Sequence, residues 1–432
     1  MSNPPPTILF AGLGAMGHAM ATHLLRSRFP VIGYDVSPPR MLSLVAEGGS
    51  CANSPAEAAP AVDVVLVMVA DQRQAEAVLL DDGTGAVGGL REGKAVLMCS
   101  TVAPRWVGWL AERLRGMGRA DVGLVDAPVS GGAGRAGVGE LSVFAAGEDR
   151  VLFSPHVQAV LACLSDARKL YHVSGGVGAG SKAKLVHQVF AGVNIAVASE
   201  AMGLAAMAGL DTKGVLERVC EGEGASWMFG NRVPFMFEEG GRGARYSAVD
   251  IIAKDVGIVN ATAREERFPL PMAGVAEQLY MSAVGAGWGR EDDCVLVRLY
   301  LPGREELVLE RAGRAAVGDD GAGTGVGIGV ADVEDLLVGV HLAVMSEAMA
   351  FCGVLGIGAD LMFDIVRNAA GASKVFEKYF REMKNGGWGL KGVEGVEGIR
   401  ERLMNAVAKA RELKYPLFLS SAALQEFQRQ LR

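Results

Sequence analysis

Lys184 is the residue in this sequence best placed to move a proton. It follows Gly178-Ala179-Gly180-Ser181, where Ser181 reads as the N-cap of a helix running from Lys182 to about Ala208. His187 and Gln188, three and four residues on, share its helical face. That helix is apolar nearly all round, which predicts burial in an all-α domain. Burial and the positive helix end both disfavour an ammonium ion. A lysine so placed suits taking a proton from a hydroxyl while a hydride leaves the same carbon. A lysine whose stem lies along a helix start gives the same local pattern. A second candidate is Ser130-Gly131-Gly132, one hydroxyl with several unobstructed backbone N–H groups, a cradle for a carboxylate. A plain glycine turn reads the same way.

These residues need elements to position them. Thr7–Ala11 reads as a buried strand and runs into Gly12-Leu13-Gly14-Ala15-Met16-Gly17, then a helical pattern over His18–Arg26. A second strand, Val31–Tyr34, ends at Asp35. Gly12 permits the tight turn, Gly14 admits a pyrophosphate against the backbone, and Gly17 lets helix and strand pack closely. The helix N-terminus then faces the phosphates. A carboxylate at Asp35 accepts hydrogen bonds from ribose hydroxyls and repels a 2′-phosphate, which favours NAD over NADP, although Arg40 nearby softens that preference. Further strands follow: Val62–Val69 leading to Ala70, Ala95–Cys99 leading to Ser100-Thr101, Gly123–Val125 leading to Asp126–Gly132, and Leu141–Ala146. In a parallel sheet the loops beyond the carboxyl ends line the ligand cleft, which brings Val69 and Ala70 into the site.

The whole chain fits this picture. Its 432 residues predict about three domains. Half are hydrophobic and 21% charged, a globular balance that excludes disorder and a disulfide scaffold. Glycine, at 59 residues, is the outlier. A net charge of −7 gives no basic footprint for nucleic acid. The six cysteines are scattered, which reads as reduced thiols in an intracellular protein, and six scattered histidines have no metal-ligand spacing. The N-terminus lacks the basic and apolar regions of a secretory signal, and the long apolar stretch Lys184–Gly209 carries His187, Asn194 and Glu200, so no membrane partner is expected and the cytoplasm is the default.

The motifs together resemble the β-hydroxyacid dehydrogenase family, which includes 3-hydroxyisobutyrate dehydrogenase and belongs with 6-phosphogluconate dehydrogenase. The resemblance spans about residues 7–300 and rests on Gly12–Gly17, Ser100–Pro104, Asp126–Gly132, Gly178–Lys184 and Lys254-Asp255. Within the family the likeness is closest to L-threonate dehydrogenases, through Ala183–Gln188, Ser226–Pro234, Ser247–Ile251, Phe268–Pro271 and Glu291–Asp293. It implies a Rossmann-type doubly wound α/β domain followed by an all-α domain like that of 6-phosphogluconate dehydrogenase. It also implies that Lys184 is the general acid/base, that Ser130, Gly131 and Gly132 anchor the substrate carboxylate, and that Thr101 and Lys254 contact cofactor or substrate. Most of the family has Asn where this chain has Gln188, which keeps the amide but is one methylene longer. That departure leaves the exact substrate open.

The C-terminal part repeats the all-α pattern. Gly192-Val193…Ser199-Glu200-Ala201-Met202 recurs 147 residues later as Gly339-Val340…Ser346-Glu347-Ala348-Met349, and Arg267-Phe268-Pro269-Leu270 recurs as Lys414-Tyr415-Pro416-Leu417. The chemistry is not repeated: Ala331 matches Lys184, Asp335 matches Gln188, and Glu401-Arg402 match Lys254-Asp255. The expected domains are 1–175 (NAD-binding), 176–301 (all-α catalytic), 302–331 (Gly-rich linker, with Glu306–Arg311 ordered) and 332–432 (a degenerate partial second all-α copy). The second copy would pack on the first as a partner subunit would, so the chain is either a homo-oligomer or an intrachain pseudo-dimer. The expected activity is NAD-dependent oxidation of a small hydroxy acid, L-threonate or a related sugar acid. Reduction of tartronate or succinate semialdehyde, and cofactor binding without turnover, are the alternatives.

Overall fold

In the computed structural model the described residues are 4–238, 247–314 and 327–432. Gly321, Gly323 and Gly325 of the Gly-rich stretch lie outside them. The chain divides into two compact units, Met1–Lys184 and Leu185–Arg432.

The first unit is built on a sheet of nine strands among the described residues, in the order β3-β2-β1-β4-β5-β6-β8-β7, with β9 on β8. The parallel core is β1 (Ile8–Ala11), β2 (Val31–Tyr34), β3 (Ser50–Cys51), β4 (Val64–Val67), β5 (Ala95–Met98) and β6 (Gly123–Asp126). Strand β1 pairs in parallel with both β2 and β4, Ile8 facing Val31 on one side and Val64 on the other. The strand order therefore reverses beside β1, and a crevice opens beyond the carboxyl ends at such a point. Strands β1, β4 and β5 are fully buried, as near-continuous runs of Val, Ile and Leu covered on both faces must be. Two apolar clusters, one around Phe10 and Leu97 and one around Val65 and Val107, fill the two faces.

Beyond β6 the sheet turns mixed: β8 (Leu141–Gly147) is antiparallel to β6, β7 (Val129–Ser130) is antiparallel to β8, and β9 (Ser165–His172) is parallel to β8. Strand β9 went unread in the sequence because Ser-Asp-Ala-Arg-Lys-Leu-Tyr-His has no apolar alternation. It lies at a sheet edge with Ala167 and Arg168 exposed, where charged residues are tolerated.

The helices used below are α1 (Ala15–Arg26) in the first unit and α2 (Ala179–Met207), which runs on into the second. The second unit continues with α3 (Thr212–Glu221), α4 (Trp227–Arg232), α5 (Val249–Glu265), α6 (Pro271–Gly285), α7 (Val330–Val354), α8 (Ala359–Arg367), α9 (Lys374–Asn385), α10 (Val396–Glu412) and α11 (Phe418–Gln430). By length and composition α2 and α7 are apolar enough to cross a membrane, and both are mostly buried inside the protein. Residues 302–314 carry a one-turn helix, Leu307–Glu310, whose Leu307 and Val308 are buried.

The second unit shows a reciprocity at an interval of 147 residues. Helices α3, α4, α5 and α6 begin at 212, 227, 249 and 271, and α8, α9, α10 and α11 begin at 359, 374, 396 and 418. Ser226 and Ser373 form an isolated antiparallel bridge; Trp227 N–H donates to Ala372 O at 2.9 Å and Lys374 N–H to Ala225 O at 3.0 Å. Arg267 and Lys414 both take positive φ, at 54° and 57°, just beyond the ends of α5 and α10.

The same interval governs two helix ends. Helices α6 and α11 have leucine at the N-cap, Leu270 and Leu417, with no side-chain oxygen to accept the first N–H groups. Glu347 from α7 accepts Met272 N–H at 2.7 Å and Ala273 N–H at 2.9 Å. Glu200 from α2 accepts Leu419 N–H and Ser420 N–H, both at 2.9 Å. Each buried glutamate caps a helix 147 residues from the one its counterpart caps.

His341 stands opposite Asn194 in this scheme. It is buried, and among the described residues neither ring nitrogen has a hydrogen-bond partner. Burial drives its pKa down to about 3. The unfolded chain therefore takes up a proton below about pH 6.5 that the folded chain refuses, and stability is lost as pH falls from there towards 3. His341→Leu is expected to match or exceed the parent in stability at pH 7. Its advantage in urea midpoint should widen as pH is lowered through this window; a constant difference would show that His341 does not titrate against folding.

Candidate active site

The Gly12–Gly17 turn is built as its residues require. Gly12 has φ +95°, and a Cβ there would lie 2.3 Å from Met68 O. A Cβ on Gly17 would lie 1.8 Å from Gly12 O, so only glycine lets α1 pack onto the turn. Gly14 differs: a Cβ there would meet nothing within 4 Å among the described residues. No protein contact demands glycine at 14, and the space above it is a cradle a side chain would fill. Helix α1 starts at Ala15 with no side-chain cap and no acidic residue in its first turn. Its N–H groups and dipole are left for an anion, and the turn fits a pyrophosphate.

Asp35 is buried and closes the turn from the side. Its Oδ2 accepts Leu13 N–H at 2.7 Å, its Oδ1 accepts Ser37 N–H at 2.8 Å, and Arg40 Nη1 lies 3.5 Å from Oδ2. Asp35 thus fixes the loop's shape, a duty that the strand-end position alone did not announce. Ser100 Oγ accepts Val69 N–H at 2.8 Å, tying the loop after β4 to the one that carries Thr101. Ala70 is exposed, and its N–H goes to Gln74 Oε1 at 3.1 Å.

Ser130 is buried in β7 opposite Ser142, rather than in a free loop. Gly131 and Gly132 follow with φ +145° and +74°, conformations that L side chains rarely adopt. They turn the chain into a five-residue helix, Gly132–Ala136.

Helix α2 begins at Ala179, so Ser181 lies inside the first turn and is not its N-cap. The hydroxyl instead donates to Asp126 Oδ1 at 2.7 Å, and Ser181 N–H donates to Asp126 Oδ2 at 2.7 Å. A carboxylate from the end of β6 satisfies the helix start that the serine was expected to cap. Gly180 permits the approach, since a Cβ would sit 2.2 Å from Phe144 O and 2.6 Å from Asp126 O. Burial pushes Asp126 up to about 6, against the Ser181 and Gly178 hydrogen bonds that favour its ionised form. Lys184, three residues further and 5% exposed, is held on this anchored turn. Sequence reasoning missed Asp126 because the tie spans 55 residues.

In the second unit Gln188 is buried, and its Nε2 donates to Asp255 Oδ2 at 2.6 Å. Lys254, a quarter exposed, places Nζ 2.9 Å from Asp255 Oδ1. His187 Nδ1 lies 3.1 Å from Gln188 Oε1. The structure brings Gln188, Asp255 and Lys254 together; Asp255 stood in a quoted motif but had no role assigned to it. The matching positions 147 residues on, Asp335 and Arg402, also touch, as an ion pair at 2.8 Å.

Residues 7–178 match the family described as the NAD-binding domain of 6-phosphogluconate dehydrogenase. Residues 178–300 and 325–432 match the NAD-binding domain of NADP-dependent 3-hydroxyisobutyrate dehydrogenase. An L-threonate dehydrogenase from Cupriavidus necator is 40% identical over 299 residues, covering 68% of this chain and 97% of that protein. The crystal structure of a 3-hydroxyisobutyrate dehydrogenase from Salmonella typhimurium is similar at 37% identity and a TM-score of 0.62, covering 68% of this chain and 99% of that one. A 6-phosphogluconate dehydrogenase from Plasmodium falciparum shares the fold at 14% identity and a TM-score of 0.67, and covers 98% of this chain and 92% of its own.

Proposed function

The chain belongs to the family of 3-hydroxyisobutyrate and 6-phosphogluconate dehydrogenases, and from that premise we propose that it oxidises L-threonate or a related sugar acid with NAD. The observation that carries the reading is the buried Lys184 on a helix turn anchored by Asp126, in a chain with an open, uncapped glycine turn. NAD is held by Gly12, Leu13, Gly14, Ala15, Met16 and Gly17, with Asp35, Val69, Ala70 and Thr101 around it. When bound, NAD supplies the acceptor for the hydride that leaves the carbinol carbon.

The chain's own residues do the rest. Lys184 takes the hydroxyl proton as the carbonyl forms, and returns it to solvent. Ser130, Gly131 and Gly132 hold the substrate carboxylate with one hydroxyl and backbone N–H groups. Gln188 orients the substrate hydroxyl, and Lys254 contacts the cofactor or the substrate. The second unit acts as an intrachain pseudo-dimer in which residues 332–432 are a structural second copy of 176–301, which the reciprocal caps by Glu200 and Glu347 support. Such an enzyme works in the cytoplasm.

Formation of NADH with a panel of small hydroxy acids tests the activity. L-threonate or a close sugar acid should give the highest kcat/KM. Turnover confined to the reduction of tartronate or succinate semialdehyde would move the chemistry to that class. Tight NAD binding with no turnover on either panel would make the protein a binding module and end the proposal.

A further inference from the structure

We propose that His187 is a positioning residue for the reaction, and that the C-terminal half of the chain sets its tautomer through the backbone N–H of Gly371. The proposal rests on the reading of Gln188 as the group that orients substrate. Gly371 N–H donates to His187 Nε2 at 3.2 Å. A backbone N–H is only a donor, so Nε2 accepts and the ring proton sits on Nδ1. Nδ1–H then donates to Gln188 Oε1, 3.1 Å away, which leaves Gln188 Nε2 to donate to Asp255 at 2.6 Å. The far end gives the same polarity, because a carboxylate such as Asp255 only accepts. Donor Gly371 and acceptor Asp255 thus fix every direction in the chain, including which way the Gln188 amide faces. His187 is fully buried, so the ring has no room to turn over.

Packing around the glycine is tight. A Cβ on Gly371 would lie 3.0 Å from Phe190 Cβ and 3.6 Å from His187 Cδ2. At the reciprocal position, 147 residues earlier, Gly224 N–H donates to Glu334 Oε1 at 3.2 Å, and a Cβ there would lie 3.1 Å from Leu337 Cβ. Residue 334 matches His187, and neighbouring Asp335, which matches Gln188, is paired with Arg402. The two glycines carry the same packing load, but only Gly371 is wired to Gln188. Gly224→Ala is therefore a control for packing alone.

Two measurements on the full-length protein decide the matter. With 15N-histidine labelling, the His187 signal, identified by its loss in His187→Phe, is expected to report the Nδ1-protonated tautomer. This readout needs no substrate and stands even where the substrate assignment fails; an Nε2-protonated ring overturns the proposal. In steady-state kinetics with the hydroxy acid found in the panel, His187→Phe and Gly371→Ala are expected to lose about tenfold in kcat/KM for that acid while KM for NAD stays within twofold, the size of one misplaced hydrogen bond. Gly224→Ala should keep parental kinetics. His187→Asn, whose Nδ2 reproduces the donor to Gln188, should recover most of the loss and serves where Gly371→Ala fails to fold. Equal losses in the two glycine variants, or unchanged kinetics in His187→Phe, would reduce His187 to a packing residue.

Discussion

Lys184→Met is expected to lower kcat by about 10²–10⁴-fold, the usual worth of a positioned acid/base group, with the dissociation constant for NAD nearly unchanged. Methionine is the informative replacement because the side chain is only 5% exposed. It fills the space of the lysine stem, so the loss reports the amine and not a cavity. The turn that carries the proposed cofactor contacts at Gly12–Gly17 is tied by its own neighbours: Leu13 N–H goes to Asp35, and Gly12 takes φ +95°. Fluorescence titration with NADH separates the two effects. A variant that binds cofactor and turns over within tenfold of the parent would remove Lys184 from the chemistry.

The second large effect concerns folding. Glu200→Ala is expected to cost at least about 3 kcal/mol. It strips Leu419 N–H, Ser420 N–H and the Ser420 hydroxyl of their acceptor, and each buried unsatisfied donor costs roughly 1–3 kcal/mol. Glu347→Ala removes the acceptor of two donors, Met272 N–H and Ala273 N–H, because Ala273 stands where Ser420 supplies a hydroxyl. It should cost less, and denaturant melts of the two variants at pH 7 give the order. Glu347 adds a pH signature: burial, against two backbone donors, raises its pKa to about 8. The folded protein then keeps a proton that the unfolded chain, titrating near 4.5, releases, so stability falls as pH rises between these values. Glu347→Gln is expected to flatten that decline, and an unaltered profile would place the titration elsewhere.

How far the sequence alone reached depended on range. The turn after β1, the acid at Asp35 and the strands β2, β4 and β5 are local patterns, and period, glycine spacing and β-branched runs reveal them. Lys184, His187 and Gln188 were legible as one helix face for the same reason. What escaped was held by long-range pairs: Asp126 with Ser181, Gln188 with Asp255, and Gly371 with His187, which is 184 residues away. Ser181 shows the cost. Its type and place predict an N-cap, but a carboxylate 55 residues upstream took that duty and turned the hydroxyl into a donor. Strand β9 escaped because its residues answer to an exposed edge rather than to a core.

The bridge at Ser226 and Ser373, with donors and acceptors exchanged across it, has a consequence for how this protein can change. In an assembly of two identical chains every substitution appears on both sides of the axis, so a residue is free to vary only where both sides tolerate it. Here the related positions lie 147 residues apart in one polypeptide, and each is encoded once. Position 188 is an amide while position 335 is an acid paired to Arg402, and position 184 is lysine while 331 is alanine. On the proposed reading of a tethered second copy, the obligation of sameness is gone: one half is free to specialise in support while the other carries the proposed chemistry.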